Sequence, residues 1–186
     1  MEKEAEVQSL TDILAKFTAY IGKRLPTDVK DKQAELRAKE TNPMAIEIFD
    51  VMAENQDAAD KLDRPSCQDT GVIQYFIQAG SSFPLLGELE SILEGATIGA
   101  TEIGPLRHNA VEAFVEKNTG TNTGSKIPWL DWEILPGKDH VIIDVYMAGG
   151  GCTLPGASTV LMPGQGYEGV AEFVLDVMTS RGLNAC

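Results

Sequence analysis

The stretch WLDWEILPGKDHVIIDVYM, from Trp129 to Met147, decides the fold class. In its second half Ile143, Val145 and Met147 fall at every other position, so an extended chain can bury one face there. A period of two belongs to a strand, because successive side chains point to opposite sides of the pleat. The first half, Trp129 to Leu135, alternates as well, and Pro136-Gly137-Lys138-Asp139 between the two has turn chemistry. A hairpin is the reading this pattern supports, with Val141 to Met147 expected in a central position of the sheet.

Outward from that stretch the pattern is helical. Val7, Leu10, Ile13/Leu14, Phe17 and Ile21 recur at helical spacing until Pro26 stops them. The charged segment Asp28 to Glu40 predicts a solvated helix. Asn42-Pro43 offers an N-cap followed by proline at the first helical position, and Met44, Ile48, Val51/Met52 and Leu62 continue an apolar stripe. Val72 to Ala79 reads as a strand. Leu85 to Ala100 and Asn109 to Lys117 read as helices, as does Tyr167 to Met178, with Val170, Phe173/Val174 and Val177 on one face. Helices come first and paired strands later, without repeats. The expected class is therefore α+β, a mainly antiparallel sheet with packed helices, read as a single domain over residues 1–186.

Composition removes some functions and leaves others. Fifteen basic against twenty-eight acidic residues give a net charge of −13, which would repel the phosphates of a nucleic acid. An anionic small molecule stays possible, because one positioned arginine can override a distant field. Apolar residues make up 43% and charged residues 23%, ordinary for a globular protein. No apolar run approaches the roughly 18 residues of a membrane span, and the acidic, amphipathic N-terminus is unlike a signal peptide. Three cysteines, an odd number with no close pair, suggest neither a disulfide framework nor a C-x-x-C zinc site. A cytoplasmic location is the expectation.

Four polar clusters stand out. R-P-S-C-Q-D-T-G, Arg64 to Gly71, packs a thiol, an amide, a carboxylate and a hydroxyl into one turn before a strand. On its own it is either a polar turn with a buried Cys67 or a ligand-bearing turn. P-L-R-H-N-A, Pro105 to Ala110, contains Arg107, which can pair bidentately with a carboxylate, and Asn109, which can cap a helix; a structural role suits His108. N-T-G-T-N-T-G, Asn118 to Gly124, has turn chemistry throughout and reads as a surface loop in isolation. Gly151 to Ser158 resembles a phosphate-binding loop, but Ala157 stands where that loop requires lysine and Thr159 to Met162 reads as extended, which argues against nucleotide binding. The triple glycine Gly149-Gly150-Gly151 is either a tight bend or a place where backbone approaches a ligand.

Taken together and in order, R-P-S-C-Q-D-T-G, P-L-R-H-N-A, N-T-G-x-N-T-G and the terminal Asn184-Ala185-Cys186 resemble the iron–sulfur class I fumarase family over essentially the whole chain. F-P-L-L-G-E-L, V-Y-M-A-G-G-G-C-T-L-P-G and V-L-M-P bring the likeness closest to the members acting on L(+)-tartrate. The resemblance implies a hydro-lyase with a [4Fe-4S] cluster held by three cysteines, one iron being left open. By position Cys67 and Cys186 would be metal ligands, whereas Cys152 matches no ligand position. Gln68, Asp69, Arg107, Gly150 and Thr153 would bind substrate, and Asp69 would also orient or perform acid–base chemistry. The substrate implied is a small 2-hydroxy dicarboxylate, L(+)-tartrate giving oxaloacetate; an α subunit of a fumarate or mesaconate hydratase is the alternative, and a metal-free partner-binding module the alternative of another class. The family's third cluster ligand and its catalytic base lie beyond the matching positions, and part of its active site is on a β subunit, in an α2β2-like assembly. The chain is thus expected to be the N-terminal portion of a longer subunit, inactive and without a stable cluster by itself.

Overall fold

The computed structural model describes residues 2–67, 69–153 and 156–181. They fall into two compact units, residues 1–147 and 148–186. The first unit starts with three helices: α1 (Glu2–Lys23), α2 (Thr27–Lys39) and α3 (Pro43–Leu62). Strand β1 (Val72–Gly80) follows, then a short 3-10 turn at Leu86–Glu88 that leads into α4 (Leu89–Ile103). Two short strands, β2 (Val111–Glu112) and β3 (Lys117–Asn118), precede β4 (Trp129–Leu135) and β5 (Val141–Ala148).

The α+β class holds, with a mixed sheet. β1 lies in the middle, in the order β4-β1-β5. β1 and β4 run parallel, Gln74 opposite Trp129 and Gly80 opposite Leu135. The expected hairpin and the central place of Val141 to Met147 are therefore corrected: β5 is an edge strand, and β1 separates it from β4. The reason lies in the turn. Residues 136–140 do not fold back onto β4 but pass over the end of β1, where Gly80 N–H donates to His140 O (2.8 Å), Ser81 N–H to Leu135 O (3.0 Å) and Ser82 N–H to Lys138 O (2.8 Å). β5 starts where β1 ends, so it runs antiparallel to it. Gly80 is a requirement of this crossing, because a Cβ there would stand 2.3 Å from the Lys138 carbonyl oxygen.

One face of β1 makes the core. Ile73, Tyr75, Ile77 and Ala79 are at most 2% exposed and pack with Leu89, Ile92, Leu93, Ala96 and Ala100 of α4 and with Leu14, Ala15 and Ala19 of α1. Each fully buried Ile or Leu in this set contributes about 1.5–3 kcal/mol relative to exposure. The expected faces of Ile143, Val145 and Met147 do lie against this cluster. α1 and α4 approach closely through small residues, Thr11 beside Gly95 and Ala15 beside Gly99. Between them the Tyr75 hydroxyl sits 3.2 Å from Thr18 Oγ1 and 3.3 Å from Thr97 Oγ1, which settles a buried polar group inside an apolar layer.

α2 has no buried residue, as its charge predicts. It is tied to α3 by Arg37, whose Nε and Nη2 donate to the two Asp50 oxygens at 2.8 and 2.9 Å. α3 begins as expected, with Asn42 Oδ1 accepting the Met44 N–H at 3.0 Å. The helix expected over Asn109 to Lys117 is absent; β2 and β3 pair there antiparallel. Thr119 N–H donates to Ala110 O, the carbonyl a helix would offer to Phe114, and Asn122 Oδ1 accepts the N–H groups of Asn109 and Ala110.

The second unit contains α5 (Gly150–Thr153), a 3-10 turn at Pro163–Gln165 and α6 (Gly166–Arg181). The triple glycine thus runs into a single helical turn. Val170 and Val174 lie on α6, both exposed, with Tyr167, Leu175 and Met178. Among the described residues, no helix is long and apolar enough to cross a membrane.

Candidate active site

The site is built where α3 ends and β1 begins. α3 stops at Asp63, whose φ of 50° is left-handed, and Arg64 N–H closes the end by donating to Ala59 O at 3.0 Å. Asn55, still on α3, donates from Nδ2 to Ser66 O at 2.6 Å and so holds the next turn against the helix. Cys67 follows, half-buried, and its Sγ accepts the Asp69 N–H at 3.4 Å. Asp69 Oδ1 takes the Gly71 N–H at 3.2 Å, and Gly71 has a positive φ of 87°.

A second segment meets this turn. Leu106 is buried in the core at the end of α4, and its neighbour Arg107 is exposed. Arg107 N–H donates to Thr70 Oγ1 at 3.0 Å, and Asn109 Nδ2 donates to Asp69 Oδ1 at 2.8 Å. Cys67, Thr70 and Arg107 therefore line one cavity of about 400 Å³, with Asn55, Pro65, Ser66 and Pro105. Among the described residues the Arg107 side chain makes no ion pair with a carboxylate. A half-buried sulfur and an unneutralised guanidinium facing the same space suit a soft metal and an anionic ligand.

The other expected site residues are placed as follows. Gln68 and Cys186 lie outside the described residues. Gly150 and Thr153 bound α5 in the second unit, and the side chains of Cys152 and Thr153 lie outside what is described. Among the described residues no three His, Cys, Asp or Glu side chains are grouped to hold a metal ion. Cys67 fits one corner of an iron–sulfur cluster by its donor type and its N–H···S contact, as a single ligand.

Sequence reasoning missed the residues that hold this arrangement together. Asn122, in the loop that reads as a surface turn, is 3% exposed. Its Nδ2 donates to Arg107 O (2.9 Å) and Thr101 Oγ1 (3.1 Å), while its Oδ1 takes the Asn109 and Ala110 N–H groups at 2.7 and 3.3 Å. Asn109 is not a helix cap but a bridge to Asp69. The available signal was the density of Asn and Thr between glycines, which marks side chains bonding to backbone without saying to which.

Comparison with known proteins bears on this geometry. A family model described as fumarate hydratase (Fumerase) matches residues 11–186. The L(+)-tartrate dehydratase subunit alpha of Escherichia coli (strain K12) is 54% identical over 184 residues, covering 99% of this chain and 61% of the relative. That of Shigella sonnei (strain Ss046) matches to the same extent. A relative from Methanocaldococcus jannaschii is 31% identical over 181 residues, covering 95% of this chain and 63% of the relative. The chain spans about three fifths of the length of the curated relatives it matches. It belongs to the fumarate hydratase family.

Proposed function

We propose that this chain is part of a hydro-lyase that dehydrates L(+)-tartrate to oxaloacetate, acting with a β subunit. The observation that carries the reading is the convergence of Cys67 and Arg107, distant in sequence, on one cavity beside Asp69. The 54% identity to a tartrate dehydratase subunit supports the choice of substrate. In this reading Cys67 and Cys186 are two ligands of a [4Fe-4S] cluster. When bound, that cluster supplies a Lewis-acidic iron with an open position, which stabilises a departing hydroxide.

The chain's own residues do the rest. Arg107 pairs with one substrate carboxylate and fixes the dicarboxylate in the cavity. Gln68 hydrogen-bonds the substrate, and Asp69 either binds it or orients the base that removes the proton from the carbon next to the hydroxyl. Loss of that proton and of the hydroxyl gives an enol, which tautomerises to oxaloacetate. Gly150 contributes a backbone N–H and Thr153 a hydroxyl. Thiolate ligands of this kind require a reducing compartment, so the proposed location is the cytoplasm.

The test is steady-state kinetics of the complete subunit assembled anaerobically with its partner, with L(+)-tartrate, fumarate and mesaconate each as substrate. The expected result is the highest kcat/KM for L(+)-tartrate. Preferred turnover of fumarate or mesaconate would move the assignment to a sister hydratase, and no turnover of any of the three would refute it.

A further inference from the structure

We propose that Thr70, Asn109 and Asn122 are positioning residues for this reaction, forming a latch that fixes the Arg107 segment onto the cysteine turn. The proposal rests on the reading of the cavity as a dicarboxylate site. Its starting point is Asn122, a buried side chain with a left-handed φ of 58°. A carboxamide has two donor hydrogens and an oxygen with two lone pairs. Asn122 uses all four: Nδ2 bonds Arg107 O and Thr101 Oγ1, and Oδ1 bonds the N–H groups of Asn109 and Ala110. One side chain thus holds the backbone from 107 to 110 at three points and ties it to α4 through Thr101.

Two further bonds carry that placement across to the cysteine turn. Thr70 Oγ1 accepts the Arg107 N–H at 3.0 Å, and Asn109 Nδ2 reaches Asp69 Oδ1 at 2.8 Å. Arg107 is therefore bracketed: its N–H is held by Thr70 and its carbonyl by Asn122. Its guanidinium, by contrast, makes no ion pair among the described residues. Rigid backbone under an unneutralised, exposed cation is what a preorganised anion contact needs, because the ordering entropy is spent in folding rather than in binding. Asp69 receives the same treatment on the cysteine turn, its Oδ1 being held by both Gly71 N–H and Asn109 Nδ2. The latch thus sets the distance between the carboxylate-binding arginine and Asp69.

The experiment uses the complete enzyme with its partner subunit and the variants Thr70→Val, Thr70→Ser and Asn109→Ala. Thr70→Val keeps the shape and removes the acceptor; we expect KM for L(+)-tartrate to rise about 10-fold, with kcat changed less than about threefold, the size of one lost hydrogen bond acting on binding. Thr70→Ser, which restores the hydroxyl, recovers most of that loss. Asn109→Ala releases Asp69 instead and lowers kcat about 10-fold with a smaller change in KM. Hydrogen exchange of the cofactor-free chain gives a readout independent of turnover: in Thr70→Val and Asn109→Ala, peptides covering 64–71 and 105–110 exchange faster together. Unchanged kinetic constants in Thr70→Val and Asn109→Ala would overturn the positioning role, as would a Thr70→Ser variant as impaired as Thr70→Val. If the unaltered enzyme turns over none of the three acids, the underlying reading fails, and that failure is seen before any variant is made.

Discussion

Arg107→Ala in the complete enzyme separates binding from folding more cleanly than any other substitution at the site. The Arg107 side chain is exposed and makes no ion pair among the described residues, while its backbone is fixed by Thr70 and Asn122 through atoms that alanine retains. Truncation should then leave stability alone: exposed substitutions of this kind stay within about 0.5 kcal/mol. For a chain of this size that is a Tm change of about 2 °C or less. The guanidinium's pairing with a substrate carboxylate is a charge-assisted bond worth roughly 1.5–3 kcal/mol, so kcat/KM should fall about 10- to 150-fold. Because the carboxylate is bound alike in ground and transition states, most of the fall belongs in KM. Initial rates over a range of L(+)-tartrate concentrations, beside a thermal melt of the same preparation, measure both quantities. A melt unchanged with kinetics unchanged would refute the substrate contact, and a Tm drop of many degrees would refute the claim that the side chain is structurally idle.

Other consequences concern the scaffold. Gly80→Ala places a Cβ 2.3 Å from the Lys138 carbonyl oxygen and should cost about 1–3 kcal/mol, read as a lowered Tm; an unchanged melt would mean that the 136–140 turn does not cross there. Tyr75→Phe removes a hydroxyl between Thr18 and Thr97 and should destabilise by about 1–2 kcal/mol in chemical denaturation. Burial pushes the Tyr75 hydroxyl above its ordinary pKa of 10.0, so in the unfolded chain it ionises first; stability should fall as pH rises past 10, and less so in Tyr75→Phe. The hydrogen bond from Lys23, helped by its charge, holds the Asp63 carboxyl below its ordinary 3.8. Its stabilisation is present above that value and lost as pH falls through the lowered one, so Asp63→Asn, which tolerates the left-handed φ, should melt below the unaltered protein at neutral pH and converge with it in acid. Asp63 is largely exposed, so added salt should narrow the same gap.

The helices were legible because each requires one local signal. The stripe from Val7 to Ile21 repeats at helical spacing and is α1, and the Asn42-Pro43 pair is an N-cap with the expected bond to Met44 N–H. The sheet was legible as strands but not as an order of strands. Alternation at Ile143, Val145 and Met147 reports that one face packs on the core, and it does so half-buried, yet it carries no information on the neighbour along the hydrogen-bonding direction. That neighbour is β1, inserted between β4 and β5, and Pro136 to Asp139 has the same turn chemistry whether the chain folds back or steps over a strand. The cue that distinguishes the two lies far away, in a glycine at position 80 that a plain strand end does not need.

At the site, the same division separates residues that do chemistry from residues that place it. Cys67, Asp69 and Arg107 announce themselves, since a thiol beside a carboxylate in one turn and a guanidinium in another prompt a question. Asn109 and Asn122 do not, because an amide before an apparent helix reads as a cap and one in an Asn–Thr–Gly loop as a turn residue. The helix read over Asn109 to Lys117 gives way to the β2–β3 pairing: Thr119 N–H takes the Ala110 carbonyl that a helix would offer to Phe114, and Asn122 Oδ1 holds the Asn109 and Ala110 N–H groups. A bond to a side chain thirteen residues away in the Asn109 case has no signature in local periodicity. Where a segment with helical spacing is found extended, its backbone groups are paired elsewhere, here in the β2–β3 ladder and with the buried Asn122 amide, which also holds Arg107 at the cavity it shares with Cys67.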